Sequence, residues 1–261
     1  MKKLLRSILK NILGVLSRSA IAKHNAEVIV VIGWTGSSIV RELIYNMLED
    51  EFNVRRNTKE VWWDFSIPMT ILGYKDKKRS IIGWIYIISK VYFSLFFRKR
   101  YSHKIIINMD TSYEDIADYW SKYIHPDIVV LQKENPSSKL VKKIIKANDS
   151  EKTLFVYDPR SFKGFGEINI REFKYSSKNA KLIYNVKGKI LKMKYKDKGV
   201  EVDLPEGCLF LKDLIPAAFS VGILEGIDMD KLKVNLRKFS FHPRQLKKGM
   251  KRLKKFLHKN K

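Results

Sequence analysis

The chain has one cysteine, Cys208, among 261 residues. A lone thiol excludes an internal disulfide framework and any zinc site built on cysteines. It reads as a small buried hydrophobe in a reducing compartment. Histidine is scarce as well, and His103, His125 and His242 fall without the spacing of metal ligands. Acidic residues are few against basic ones, 27 to 52, which leaves a formal charge of +25. Such an excess favours anionic partners (nucleic acid, phosphorylated small molecules or acidic lipid) without naming one, and lysine faces solvated by water are the plain alternative. Long apolar runs are also missing. The strongest, "IIGWIYIISKVYFSLFF" from Ile81 to Phe97, is interrupted by Lys90 and falls short of a membrane span, so a buried helix is expected there. The basic N-terminal stretch is broken by Lys10 and carries no convincing cleavage site, so it is not read as a signal peptide. No internal repeat or low-complexity linker occurs.

What is present is the composition of a folded chain, 45% apolar and 30% charged, long enough for one substantial core. Leu4, Leu5, Ile8, Leu9, Ile12, Leu13 and Leu16 recur at helical spacing opposite Lys3, Arg6, Lys10 and Arg18. This is a basic amphipathic helix, suited either to an anionic surface or to docking on its own domain. From Val28 buried strands and helices alternate: "VIVVIG", "FNVRR", "KIIINMD", "PDIVVLQ" and "TLFVYD" are the strands. After Pro159 "EINIREFKYS", "AKLIYNV", "KGKILKMKYKD" and "GVEVDLP" change to a period of two. The expected fold is α/β, a mostly parallel doubly wound sheet with helices on both faces plus a small antiparallel β-meander. Residues 1–25 form the N-terminal helix, 26–244 the domain with its meander at 155–205, and 245–261 a basic C-terminal helix.

One segment carries chemistry. "VIVVIGWTGSSIVRELIYNML" runs from a strand through a glycine-containing turn into a helix, the order of a phosphate-binding loop. The turn residues Gly33, Trp34, Thr35, Gly36, Ser37 and Ser38 are its candidate phosphate contacts. Such a loop holds phosphate with backbone N–H groups, a lysine and a magnesium-binding hydroxyl. Here the first glycine position is Val31 and the lysine position is Ser37, while Ser38 keeps the hydroxyl. Trp34 adds bulk where phosphate should pass.

Together with "FSIPMTILGY", "IIINMDTSYEDIADYWSKYIHPDIVVLQKENPSS", "AAFSVGILEGID" and "FSFHPRQ", this segment resembles the central ATPase domain of the Mur ligase family. The likeness runs from about Val28 to Arg244 and is nearest the D-alanyl-D-alanine-adding branch. It implies a fold that uses ATP to join a peptide to a UDP-linked cell-wall precursor. It also implies that functional positions are altered. The family's asparagine pair and glutamate before "xxIPxT" are matched by Trp62, Trp63 and Asp64. Its magnesium-holding glutamate is matched by Asn108, two residues before Asp110, and its histidine by Ser138. Its nucleotide-contacting His, Asn and second Asn fall on Phe210, Leu211 and Leu214. Arg244 is the match where the family's C-terminal lobe begins, and that lobe and the UDP-sugar lobe are expected to be absent.

Three functions stay open on these residues. The first is a non-catalytic relative, a binding or regulatory module whose partner is a protein such as an active Mur ligase. The second is an ATP-dependent amide ligase using Asp64, Asp110 and a lysine borrowed from elsewhere in the chain, with Asn108 and Ser138 as further catalytic candidates and Mg2+ on Ser38 and Asp110; ATP and Mg2+ are cofactors only under this reading. The third is a basic protein held on anionic membrane or RNA by its terminal helices, Lys247, Lys248, Lys251, Arg252, Lys254 and Lys255 included. A cytoplasmic location is expected, with attachment to the inner face of the membrane under the third.

Overall fold

In the computed structural model of the chain, residues 2–33, 36–57, 65–74, 80–97, 101–110, 114–132, 152–160, 171–206 and 208–239 are described. Their centre is β1 (Glu27–Gly33), between β3 (Lys104–Asp110) and β4 (Ile128–Leu131). Outward from β3 lies β2 (Val54–Arg56). Outward from β4 lie β5 (Leu154–Tyr157), β6 (Arg171–Ser176), β7 (Leu182–Lys187), β8 (Ile190–Tyr195) and β9 (Lys198–Asp203). The sheet has nine strands, parallel from β2 across to β7 and antiparallel between β7, β8 and β9.

The unbroken apolar run of β1 follows from burial on both faces. Val28, Val30 and Ile32 enter one core, with residues of α1 (Lys2–His24), α3 (Ser66–Leu72), α4 (Ile81–Phe97) and α5 (Glu114–Ser121). Ile29 and Val31 enter the other, with α2 (Ser37–Leu48), α6 (Leu211–Leu224) and α7 (Met229–Lys238). Parallel strands with helices on both faces make a doubly wound domain.

Three expectations change. The strand within "EINIREFKYS" is β6, and it pairs parallel with β5, Leu154 opposite Arg171 through Tyr157 opposite Lys174. Its alternation records one-sided burial: Phe173 and Tyr175 enter the core shared with α6, and Arg171 is exposed. The antiparallel part is therefore β7 to β9, shorter than 155–205. The N-terminal helix is not a separate extension. Its second half docks through Leu13, Leu16 and Ala20, and His24 stacks on Tyr101 with ring centroids 4.4 Å apart. Its first half leaves Leu4, Leu5, Ile8 and Ile12 exposed. The helix at Ile81–Phe97 is buried on one side only, through Ile87 and Val91, while Ile82, Ile85, Phe93 and Phe97 face outward. The expected helices at 137–148 and 245–261 lie outside the described residues.

Candidate functional site

In a parallel sheet, ligands meet the crevice at the carboxyl ends of the strands where the chain reverses its direction of winding. The strand order places that crevice between β1 and β4, flanked by Gly33 and Gln132. Gly33 has no room for a side chain: a Cβ there would lie 2.6 Å from Cβ of Gln132. Gly36 follows with φ of 87°, a left-handed conformation that favours glycine, and caps α2. Its carbonyl accepts from the N–H groups of Ile39 and Val40, both at 2.9 Å. As a glycine, Gly36 offers no side-chain cap to the first turn of α2, whose N-terminus carries the positive end of the helix dipole. The described residues thus give the order strand, left-handed glycine and helix, β1 ending at Gly33 and α2 following Gly36. Ser37 is buried and Ser38 half-buried; Trp34 and Thr35 lie outside the described residues.

The described side chains nearest this turn include neutral and apolar ones. Leu214, in the first turn of α6, packs its methyl groups against the loop, 3.0 and 3.1 Å from where a Gly36 Cβ would stand. Leu211 beside it is fully buried. On the β3 side Asn108 is buried opposite Val31; its N–H donates to Oδ1 of Asn57 at 2.9 Å. Oδ1 of Asn108 and both polar atoms of the Gln132 amide have no hydrogen-bond partner among the described residues. A buried polar atom left unmatched costs about 1–3 kcal/mol, so these three atoms call for partners beyond the described residues. The Asp110 backbone pairs with Gly33, but its side chain lies outside the described residues, as do Asp64, Ser138 and Arg244. Geometry therefore brings together Gly33, Gly36, Ser37, Ser38 and Asn108. Among the described residues no group of His, Cys, Asp and Glu is arranged to hold a metal ion.

A charged cluster outside the phosphate-loop motif lies where β5 ends. Asp158 is buried and held by Arg160, whose Nη2 donates to Oδ2 at 2.6 Å and whose backbone N–H donates to Oδ1 at 2.9 Å. Burial opposes ionisation of Asp158, but these bonds and the guanidinium charge outweigh it and hold the carboxyl below its ordinary value. The Tyr184 hydroxyl accepts from Arg160 at 2.5 Å and donates to Asp213 of α6 at 2.8 Å. Burial, with Asp213 and Asp158 nearby, raises the Tyr184 phenol well above its usual range. Sequence reasoning missed this cluster; its signal is "VYDPR", an acid at a buried strand's carboxyl end followed by proline and arginine. The Arg160 charge is matched by Asp158.

A doubly wound α/β domain with a mostly parallel sheet is the class that the fold defines. No family model and no curated protein matches the chain. Solved Mur ligases share its fold. MurF from Acinetobacter baumannii superposes with a TM-score of 0.65 at 11% identity, over 88% of this chain and 50% of that one. MurF ligase from Thermotoga maritima, solved in complex with ADP, gives 0.59 at 14% identity over 90% and 53%. A pseudomurein peptide ligase type C from Methanothermus fervidus gives 0.59 at 12% over 84% and 50%. The chain spans about half the length of these structures.

Proposed function

We propose that the chain is a non-catalytic relative of the Mur ligases, nearest their MurF-like branch, in which the ATPase fold serves as a binding module for a protein partner in cell-wall peptide synthesis. The observation that carries this reading is the packing of Leu214 against Gly36, at a loop whose lysine position is the buried Ser37. Phosphoryl transfer depends on positioned cations and dipoles, and removal of one such partner typically costs about a hundredfold to a thousandfold in rate. Here the helix dipole stays, but the loop lysine is gone, Asn108 stands for a carboxylate, and hydrocarbon presses on the turn. The unmatched amides of Asn108 and Gln132 support a site completed by a neutral hydrogen-bonding group, such as a peptide of the partner.

The test is calorimetric titration with ATP, with and without Mg2+, of the unmodified chain and of a Ser37→Lys, Leu214→Asn double variant. The unmodified chain is expected to bind more weakly than about 1 mM, that is by less than about 4 kcal/mol. Measurable gain of affinity in the double variant would mark an intact frame with its charge removed. Saturable, Mg2+-dependent micromolar binding by the unmodified chain would overturn the proposal and favour the ligase reading.

A further inference from the structure

The largest feature unused by the crevice is the outer surface of α1 and α4, on the opposite face of the sheet from α2 and α6. The two helices pack against each other. On α4 the inward stripe is Ile87 and Val91, yet the outward stripe is as apolar: Ile82 is 79% exposed, Ile85 60%, Phe93 60% and Phe97 78%. These positions fall at i, i+3, i+11 and i+15, one side of a helix. On α1, Leu4 (68% exposed), Leu5, Ile8, Ile12 and Val15 make a second outward stripe. Two neighbouring helices showing aliphatic and aromatic side chains to water form a docking surface, because single exposed hydrophobes are ordinary but stripes are not.

Charge decides what covers it. Helix α1 holds Lys2, Lys3, Arg6, Lys10, Arg18 and Lys23 with no acid, and Lys90 is the one charged residue of α4. In the chain, α4 is preceded by Lys77, Lys78 and Arg79 and followed by Arg98, Lys99 and Arg100. A second copy would bring the same cations against these. Nucleic acid would satisfy the charge but leave Ile82, Ile85, Leu4 and Ile8 uncovered, since aliphatic groups do not stack with bases as aromatic ones do. Apolar stripes on helices whose described charged side chains, Arg6, Lys10, Arg18, Lys23 and Lys90, are all cationic match an anionic bilayer surface, where acyl chains take the stripes and headgroups the charges. None of the described helices is long and apolar enough to cross a membrane, so the helices lie in the interface. We infer that the α1–α4 face seats the protein on anionic lipid bilayers, α4 and the first half of α1 lying in the plane of the headgroups.

The experiment is co-sedimentation of the full chain with vesicles of phosphatidylcholine alone, and of phosphatidylcholine with phosphatidylglycerol in equal parts. It is repeated with an Ile82→Gln, Ile85→Gln, Phe93→Gln variant. All three side chains are exposed, so far-ultraviolet circular dichroism and melting should be unchanged. Binding is expected on the anionic vesicles and is expected to fall roughly a hundredfold in the variant, a modest share of the transfer energy of three large side chains. An Ile85→Cys chain, labelled there with an environment-sensitive dye because Cys208 is buried, should shift to the blue on those vesicles. Equal binding by variant and parent, with no spectral shift, would mean that net charge alone holds the protein to lipid and would overturn the inference. So would a parent that ignores vesicles, whether it dimerises through this face or stays monomeric.

Discussion

Lys104, at the amino end of β3, is buried and donates to two carboxylates, Glu27 at the start of β1 and Glu225 just after α6. It joins the first strand to the helix that covers the candidate site. Glu225 is also deeply buried, and its Oε1 has no partner among the described residues. Burial, and the neighbouring Glu27, outweigh the attraction of Lys104 and push the Glu225 carboxyl up to about 7. A carboxyl raised in the folded state binds its proton more tightly there than in the unfolded chain. Its contribution to stability is therefore greatest below the unfolded value of 4.5 and declines as pH rises through the folded value of about 7. At most about 3 kcal/mol is at stake, since each tenfold change in proton affinity is worth about 1.4 kcal/mol. Glu225→Gln should remove that decline. Urea unfolding of both chains between pH 5 and pH 8, roughly the span bracketed by the two values, measures it; parallel stability curves would sink the assignment. Asp158 titrates in the opposite sense, being held below its ordinary value, and is present in both chains, so the comparison isolates Glu225.

The helices and strands show which patterns carry unambiguous information. β1, β3, β4 and β5 were legible because burial on both faces favours near-continuous apolar runs, and "GWTG" before "SSIV" announces a turn feeding a helix N-terminus. The turn residues Gly33 and Gly36 were readable for the same reason. The direction of β6 was not, because alternation records how many faces are covered and says nothing of the neighbour's polarity. Nor were Asp158, Arg160, Tyr184 and Asp213, whose meeting requires the end of β5, β7 and the first turn of α6 to converge. Gln132 against Gly33 is likewise a contact across strands. For α1 the sequence offered surface binding or docking; the structure docks its second half and leaves apolar residues of its first half exposed. Leu13→Ala should then cost about 2–5 kcal/mol, the usual penalty for emptying a buried leucine site. Leu4→Ala, on the exposed half, should stay within about 0.5 kcal/mol. Chemical denaturation of both variants tests the division, and a neutral Leu13→Ala would mean that the helix is an appendage after all.

Taken as one body, the molecule carries a formal charge of +25, and magnitudes decide how salt acts on it. Exposed ion pairs such as Lys192 with Glu201 and Lys198 with Asp228 contribute little and weaken as salt rises. The buried contacts of Lys104 are shielded from salt. Against these small losses stands the mutual repulsion of all the unmatched lysines and arginines, which the compact state feels more strongly than the expanded chain. Raising sodium chloride from about 0.01 M to about 1 M shortens the screening length from roughly 30 Å to roughly 3 Å, so repulsion across the domain is removed while direct contacts survive in part. Stability should therefore rise with salt, by about 1 kcal/mol or more, seen as a melting temperature higher by a few degrees. Chloride is the salt to use, because sulfate strengthens apolar burial by exclusion and would also bind at the open N-terminus of α2. Scanning calorimetry across that range is the measurement. A melting temperature that falls would mean that the surface ion pairs outweigh the repulsion, and that the excess lysines are spread too thinly over the molecule to act together.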